Sequence, residues 1–227
     1  MRRAKTLLTL LRQRAFGEKH DRERAGYALL NKARQVLLPD YKMTEYSKLW
    51  FYDHEYFSQY RRLGIEDDLS ADRKFLLREL LKLADRVEGD TVEAGVYNGA
   101  SSWFMCEARK NHAGTHWAFD SFEGLSSPAD DDGTFWREGD LAVPEQVARS
   151  LLEPYGAEVV RGWIPQAFGE VEGRLGDLAF VHIDVDLYEP TRDSLEFLYS
   201  RVAPGGIIVC DDYGSVCRLP GRDPGRR

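Results

Sequence analysis

The sequence predicts an α/β fold, a doubly wound and mostly parallel sheet preceded by an N-terminal helical extension. Three observations predict it. Short apolar runs alternate with helical patterns from residue 70 onward, a glycine-bearing turn follows the first run, and carboxylates gather where the runs end. Parallel neighbours need crossover connections, which the intervening helices supply.

The chain has 227 residues, 43% of them hydrophobic and 30% charged, enough for one sizeable core and an appendage. Nothing in it approaches the ~18 apolar residues of a membrane span, and Leu7, Leu8, Leu10 and Leu11 are followed by Arg12 and Arg14 without a small-residue cleavage site. A cytoplasmic protein is therefore expected. Cys106, Cys210 and Cys217 have neither zinc-like spacing nor an even count, so reduced thiols are expected.

Residues 1–38 hold ten Lys and Arg against three Asp and Glu, whereas the remainder holds 21 against 35. A basic helical arm thus precedes an acidic body. The arm reads as a solvated helical pair that docks on the body or on a second subunit, the route to a homo-oligomer; an anionic membrane or nucleic acid is the alternative. It lacks the aromatic face of a strong interfacial helix. Helices are expected over 3–15 and 21–37, stopped by Pro39. Tyr46, Trp50, Phe51, Tyr52, Tyr56, Phe57 and Tyr60 then recur near helical spacing, as core or as a lid over a ligand. These stretches make up an arm and lid, 1–69, a core, 70–214, and an irregular tail, 215–227.

Ser70 is placed as the N-cap of a helix whose apolar face is Phe75, Leu76, Leu80, Leu83, Ala84 and Val87. Strands follow at 91–97, 116–120, 158–161, 178–184 and 206–210, with helices near 100–111, 144–155, 165–173 and 191–201.

In an open parallel sheet, ligands bind outside the carboxyl ends of the strands. The acids converge there: Glu93 in the first strand, Asp120 ending the second, Asp184 and Asp186 at the fourth, Asp211 and Asp212 after the fifth. Gly95 and Gly99 allow a tight turn, and Ser101 or Ser102 lies near the N–H groups of a helix start. The turn lacks the G-x-G-x-x-G of a pyrophosphate loop. Asp120 follows Gly95 by 25 residues, where a carboxylate suits a ribose diol; the other reading is a cap on the turn 121–124. Alternation puts Asp184 and Asp186 on one side, about 7 Å apart at ~3.3 Å per residue. Four carboxylates at one edge call for a cation or a retained proton, and all-oxygen ligation suits Mg²⁺, with Mn²⁺ or Ca²⁺ as alternatives. The other reading is solvated loop acids with Asp186 as an N-cap. His182, within an apolar strand, reads as a satisfied core residue.

These residues resemble the macrocin O-methyltransferase-like (TylF-type) family, S-adenosylmethionine-dependent enzymes that methylate sugar hydroxyls on antibiotics and other glycosides. The likeness covers residues 85–214 through five ordered motifs: Gly89 to Tyr97 (GDTVEAGVY), Phe119 to Gly124 (FDSFEG), Arg161 to Trp163 (RGW), Ile183 to Thr191 (IDVDLYEPT) and Gly205 to Tyr213 (GGIIVCDDY). The resemblance implies a class I, Rossmann-like methyltransferase fold. It implies S-adenosylmethionine between the Gly95 turn and Asp120, with Glu93, Tyr97, Gly99, Ser101, Ser121, Trp163 and Asp184 around it. It further implies Mg²⁺ held by Asp184, Asp211 and Asp212, Asp186 as general base, and a glycoside or sugar acceptor. Nucleic acid and membrane spans have no place in it. A catechol-like diol acceptor would use the same aspartates, and a non-catalytic cofactor-binding remnant is the third reading. After Gly214 the chain departs from the family. The Pro/Gly/Arg-rich stretch 215–227 does not read as the helix and strand pair that complete such a sheet, so a truncated or frame-shifted terminus lacking the last two strands is expected.

Overall fold

Phase and register, more than strand count, place the site in this protein. A computed structural model describes residues 2–37, 52–63, 70–133 and 135–212, and it divides into two units, residues 1–53 and 54–227. The tail 215–227, and Tyr46, Trp50 and Phe51 of the aromatic stretch, lie outside the described residues.

The first unit is a helical hairpin of α1 (Arg2–Phe16) and α2 (Lys19–Leu37). The chain turns at Gly17, whose N–H donates to the Gln13 carbonyl at 2.9 Å. Leu8, Leu11, Val36 and Leu37 are exposed on it, while Ala25 is buried. No described helix is long and apolar enough to cross a membrane.

The second unit runs α3 (His54–Arg62), α4 (Ala71–Leu83), β1 (Asp90–Ala94), α5 (Ala100–Arg109), β2 (His116–Asp120), α6 (Glu145–Leu152), β3 (Glu158–Arg161), α7 (Gln166–Gly169), β4 (Leu178–Ile183), α8 (Tyr188–Leu198) and β5 (Val202–Cys210). The strands pair in the order β3-β2-β1-β4-β5, every pair parallel. The sequence therefore reverses direction across the sheet at β1, which opens a crevice beside the carboxyl ends of β1 and β4.

Strand alternation sends Val92, Ala94, Val181 and Ile183 to one face, against Phe168, Val171 and Leu198. Phe180 and Met105 meet Leu77, Leu81 and Ala84 of α4 and its C-terminus on the other. The α4 period is as expected, but its phase is not. Leu77, Leu81 and Ala84 are buried, whereas Leu76 and Leu83 are 56% and 72% exposed, because Met105 of α5 and Phe180 of β4 meet the helix from the side of Leu77. Ser70 makes no side-chain cap; its hydroxyl accepts the Lys74 ammonium at 3.0 Å instead.

In α3, Tyr56 and Tyr60 are fully buried. Tyr56 stacks on Phe104 with centroids 5.2 Å apart and meets Phe75 edge-on, and its hydroxyl donates to the Ala71 carbonyl at 2.5 Å. These two tyrosines are core, and α3 belongs with the sheet domain. Arg109, at the end of α5, donates to the carbonyls of Ala84 and Val87 at 3.0 and 2.9 Å. It ties the end of α4 to the entry of β1.

Strand β1 stops at Ala94, short of the expected residue 97, because Gly95 and Tyr97 have φ of 87° and 51° and turn the chain out of the sheet. Helix α8 starts three residues earlier than expected and β5 four residues earlier.

A buried polar chain crosses this core. Glu93 lies beside His182 in the β1–β4 register and accepts its Nδ1–H at 2.7 Å; the other Glu93 oxygen accepts the Ser102 hydroxyl. Since the Ser102 proton is spent on Glu93, Ser102 must accept from His116 Nε2 at 2.9 Å, so His116 Nδ1 accepts the Thr91 hydroxyl at 2.8 Å. Burial, and then the neighbouring His182, push His116 down to about 3. Burial alone would lower His182 as well, but the Glu93 hydrogen bond and charge outweigh it, and its pKa is raised.

His116 therefore stays neutral in the fold and takes a proton in the unfolded chain below its ordinary pKa of about 6.5. Stability attributable to it is complete above that pH and falls as the pH drops, by up to ~1.4 kcal/mol per pH unit. The expected result is that a His116→Gln variant loses less stability than the wild type between pH 6.5 and 5.5 in chemical denaturation. Equal losses would show that His116 does not carry this proton linkage.

Candidate active site

The crevice is a cavity of ≈ 930 Å³, within the size range of small-molecule sites. Its walls come from the carboxyl ends of β1, β2 and β4, the first turns of α4, α5 and α8, and the loops after β2 and β3.

Gly95 turns the first wall. A Cβ there would stand 1.8 Å from the Asp184 carbonyl oxygen, so the residue is glycine because the end of β4 presses against it. The Asp184 N–H in turn donates to the Ala94 carbonyl at 2.8 Å, and the Gly95 N–H to that of Phe119 at 2.9 Å. Asp120 closes the other side. One of its oxygens accepts the N–H groups of Val96 and Tyr97 at 2.9 and 2.8 Å, and the other that of Phe122 at 2.6 Å. The carboxylate thus braces the β1–α5 turn and caps its own loop, with about one of its four acceptor sites left. Burial raises its pKa against the pull of those three N–H groups. Ser121 donates to the Gly124 carbonyl at 3.0 Å.

The second wall is acidic. Carboxylate oxygens of Asp184, Asp186 and Asp212 lie within 4.8 Å of one another; a second group, sharing Asp184, joins His182 and Asp211. Burial, then Asp212 and Asp184, push Asp186 up to about 7. Burial, then Asp184, push Asp212 up to about 6. Strand alternation is not what unites Asp184 with Asp186. Strand β4 ends at Ile183, and Asp186 adopts a left-handed φ of 60° while its N–H donates to Asp212 at 2.9 Å. Nor is Asp186 an N-cap: the helix boundary is Leu187, and the Tyr188 N–H is taken by Asp132 at 2.7 Å.

Gly95, Tyr97, Ser101, Asp120, Ser121, Trp163, Asp184, Asp186 and Asp212 all line the cavity. Three expected residues do not. Glu93 is sealed in the core chain with Ser102 and His182. Gly99 begins α5 with φ 86°, and a Cβ there would point at the Ala148 backbone 3.2 Å away, so it serves helix packing. Asp211 does not line the cavity; it forms an ion pair with Arg73 and, with His182, neighbours Asp184.

Several wall residues escape a strand-end search. Ser70 and, in the first turn of α4, Arg73 and Lys74 line the cavity, and their i, i+3, i+4 spacing, which puts them on one side of the helix start, was the available signal. Trp136 and Leu141 come from the loop after β2. That loop is pinned by buried Asp132 and by Gly124, where a Cβ would meet the Gly139 and Asp140 carbonyls at 2.5 Å. Left-handed non-glycine residues concentrate on this cavity: Tyr97, Leu141 and Asp186 line it and Phe122 follows Ser121, as strained backbone does at functional sites.

The chain matches the family model described as macrocin-O-methyltransferase (TylF) over residues 76–220. It is similar to the 8-demethyl-8-(2,3-dimethoxy-alpha-L-rhamnosyl)-tetracenomycin-C 4'-O-methyltransferase of Streptomyces olivaceus, 40% identical over 153 residues, which are 60% of this chain and 58% of that protein. It is also similar to the demethyldecarbamoylnovobiocin O-methyltransferase of Streptomyces niveus, 32% identical over 146 residues, 58% of this chain and 55% of that protein. The aligned part of the chain thus spans little more than half the length of these relatives. Among solved structures, the calicheamicin methyltransferase CalS11 shares the fold, with a TM-score of 0.55 and 19% identity over 70% of this chain and 78% of that one. With the family model matched across most of the sheet domain, from α4 past β5, the chain belongs to the macrocin-O-methyltransferase (TylF) family.

Proposed function

We propose that the chain transfers a methyl group from S-adenosylmethionine to a hydroxyl of a sugar or glycoside, with Mg²⁺ or Mn²⁺ at the aspartate cluster. One observation carries this reading. The Gly95 turn with Asp120, and the trio of Asp184, Asp186 and Asp212, are walls of one cavity and meet where the Asp184 carbonyl touches Gly95. The sugar-directed names of relatives such as the rhamnosyl 4'-O-methyltransferase agree with it.

The donor set fits a hard divalent cation. It is all oxygen, and the repulsion and burial that lift Asp186 and Asp212 are what a cation would relieve. Asp184 and Asp212 would hold it. Such a cation, when bound, supplies Lewis-acid polarisation of the acceptor hydroxyl. The residues of the chain do the rest. Asp120 accepts a ribose hydroxyl at its remaining acceptor site, and Trp163 flanks the cofactor. Trp136 and Leu141 wall off water, and Asp186 accepts the hydroxyl proton at its carboxylate as the methyl leaves the sulfonium.

Calorimetric titration with S-adenosylmethionine, paired with turnover on glycoside and catechol panels in Mg²⁺ or EDTA, tests the proposal. The expected result is cofactor binding in both media and glycoside methylation only with Mg²⁺. Absence of cofactor binding by a folded sample would defeat the methyl-transfer reading, and full turnover in excess EDTA the metal reading. Preference for catechols would reassign the acceptor.

A further inference from the structure

Asp211 and Asp212 are adjacent, yet they face different partners. Asp212 joins Asp184 and Asp186, whereas Asp211, with a side chain 11% exposed, is held by the guanidinium of Arg73. Arg73 projects from the first turn of α4 with a side chain 51% exposed, so it reaches Asp211 from the solvent side. It lines the same cavity as the trio. It is also the positive charge whose field opposes the upward shifts of both Asp186 and Asp212.

We infer that Arg73 is an internal counter-cation that competes with the divalent metal for the aspartate cluster, holding Asp211 until the metal enters. The inference rests on the reading that this cluster binds a divalent cation. Its physical basis is charge. Arg73 neutralises part of a cluster that would otherwise repel itself, and the same field that acts on Asp186 and Asp212 would oppose a second cation among them. Ligand atoms of Asp211, His182 and Asp184 lie within 4.8 Å of one another, so releasing Asp211 from Arg73 makes a further carboxylate available beside Asp184. Arg73 is thus a positioning residue for Asp211 that sets metal affinity, and the acceptor chemistry need not involve it.

The test is Mn²⁺ binding to the full chain, followed by calorimetry and by the loss of the free-ion resonance, for wild type, Arg73→Gln and Arg73→Lys. Removing the charge is expected to tighten Mn²⁺ binding roughly tenfold, while Arg73→Lys, which keeps it, stays within about threefold of wild type. In EDTA, Arg73→Gln is expected to melt below wild type, and saturating Mn²⁺ to close that gap. Unchanged or weaker Mn²⁺ binding by Arg73→Gln would overturn the inference while leaving the metal site intact. Equal tightening in both variants would overturn it too, since loosened packing rather than charge would then be the cause. Failure of all three proteins to bind Mn²⁺ would overturn the metal reading and this inference together.

Discussion

Replacing Gly95 by alanine is expected to destabilise the sheet domain by about 3–5 kcal/mol and to abolish binding of S-adenosylmethionine. Two costs combine. The residue sits at φ 87°, which an L side chain enters at a cost of ~1 kcal/mol. The larger cost is steric, since the new Cβ would stand 1.8 Å from the Asp184 carbonyl oxygen, a backbone atom held by the Asp184 N–H bond to Ala94. Neither strand can withdraw without breaking that bond or the one from Gly95 to Phe119. Because Asp184 belongs to the aspartate trio, the displacement reaches both walls of the cavity. Chemical denaturation and cofactor calorimetry check this. Gly133 provides the control, because a Cβ there meets nothing within 4 Å, so only the smaller conformational cost of its φ of 76° remains for Gly133→Ala. A Gly95→Ala protein with wild-type stability and affinity would remove the contact as the reason for glycine.

Asp186→Asn is expected to lower kcat by about 10²–10⁴-fold, the usual contribution of a positioned general base, with little change in the affinity for cofactor. Asparagine is the informative substitution because it tolerates the left-handed backbone, so the φ of 60° at this position is kept. The N–H bond to Asp212 is kept as well. What is lost is the ability to accept a proton. Single-turnover rates at saturating acceptor, read beside Mn²⁺ affinity, separate the two contributions. A loss below tenfold would assign the proton to another group, and a loss matched by weakened metal binding would make Asp186 a ligand first.

Much of the site was legible before the fold was known, because the chemistry of parallel sheets is local in sequence. A strand end carries its acid and its turn glycine with it, so Asp120, Asp184 and Asp212 could be placed on one edge as acids at the carboxyl ends of parallel strands, and Gly95 could be assigned to a tight turn. The expectation for Glu93 fails for a reason that no strand-end argument contains. Its register partner is His182, and a histidine across the ladder and a serine on α5 satisfy the carboxylate inside the core. The tight turn at Gly99 holds, with φ 86°, but its packing neighbour Ala148, 49 positions away in sequence, lies beyond that reasoning.

Sequence by itself determined the α/β architecture, which strand ends carry the acids and the family to which the chain belongs, since hydrophobic period and short motifs are properties of neighbouring residues. The tertiary structure alone decided which member of each pair faces the cavity. The sequence brings Asp211 and Asp212 together to the same edge but cannot say which of them meets Arg73. It cannot foresee the left-handed kink at Asp186 that gathers the trio, nor the hold of Asp132 on the Tyr188 N–H from 56 residues away. Those outcomes depend on side chains brought together across the sheet, where burial makes each unpaired polar group costly and so selects its partner.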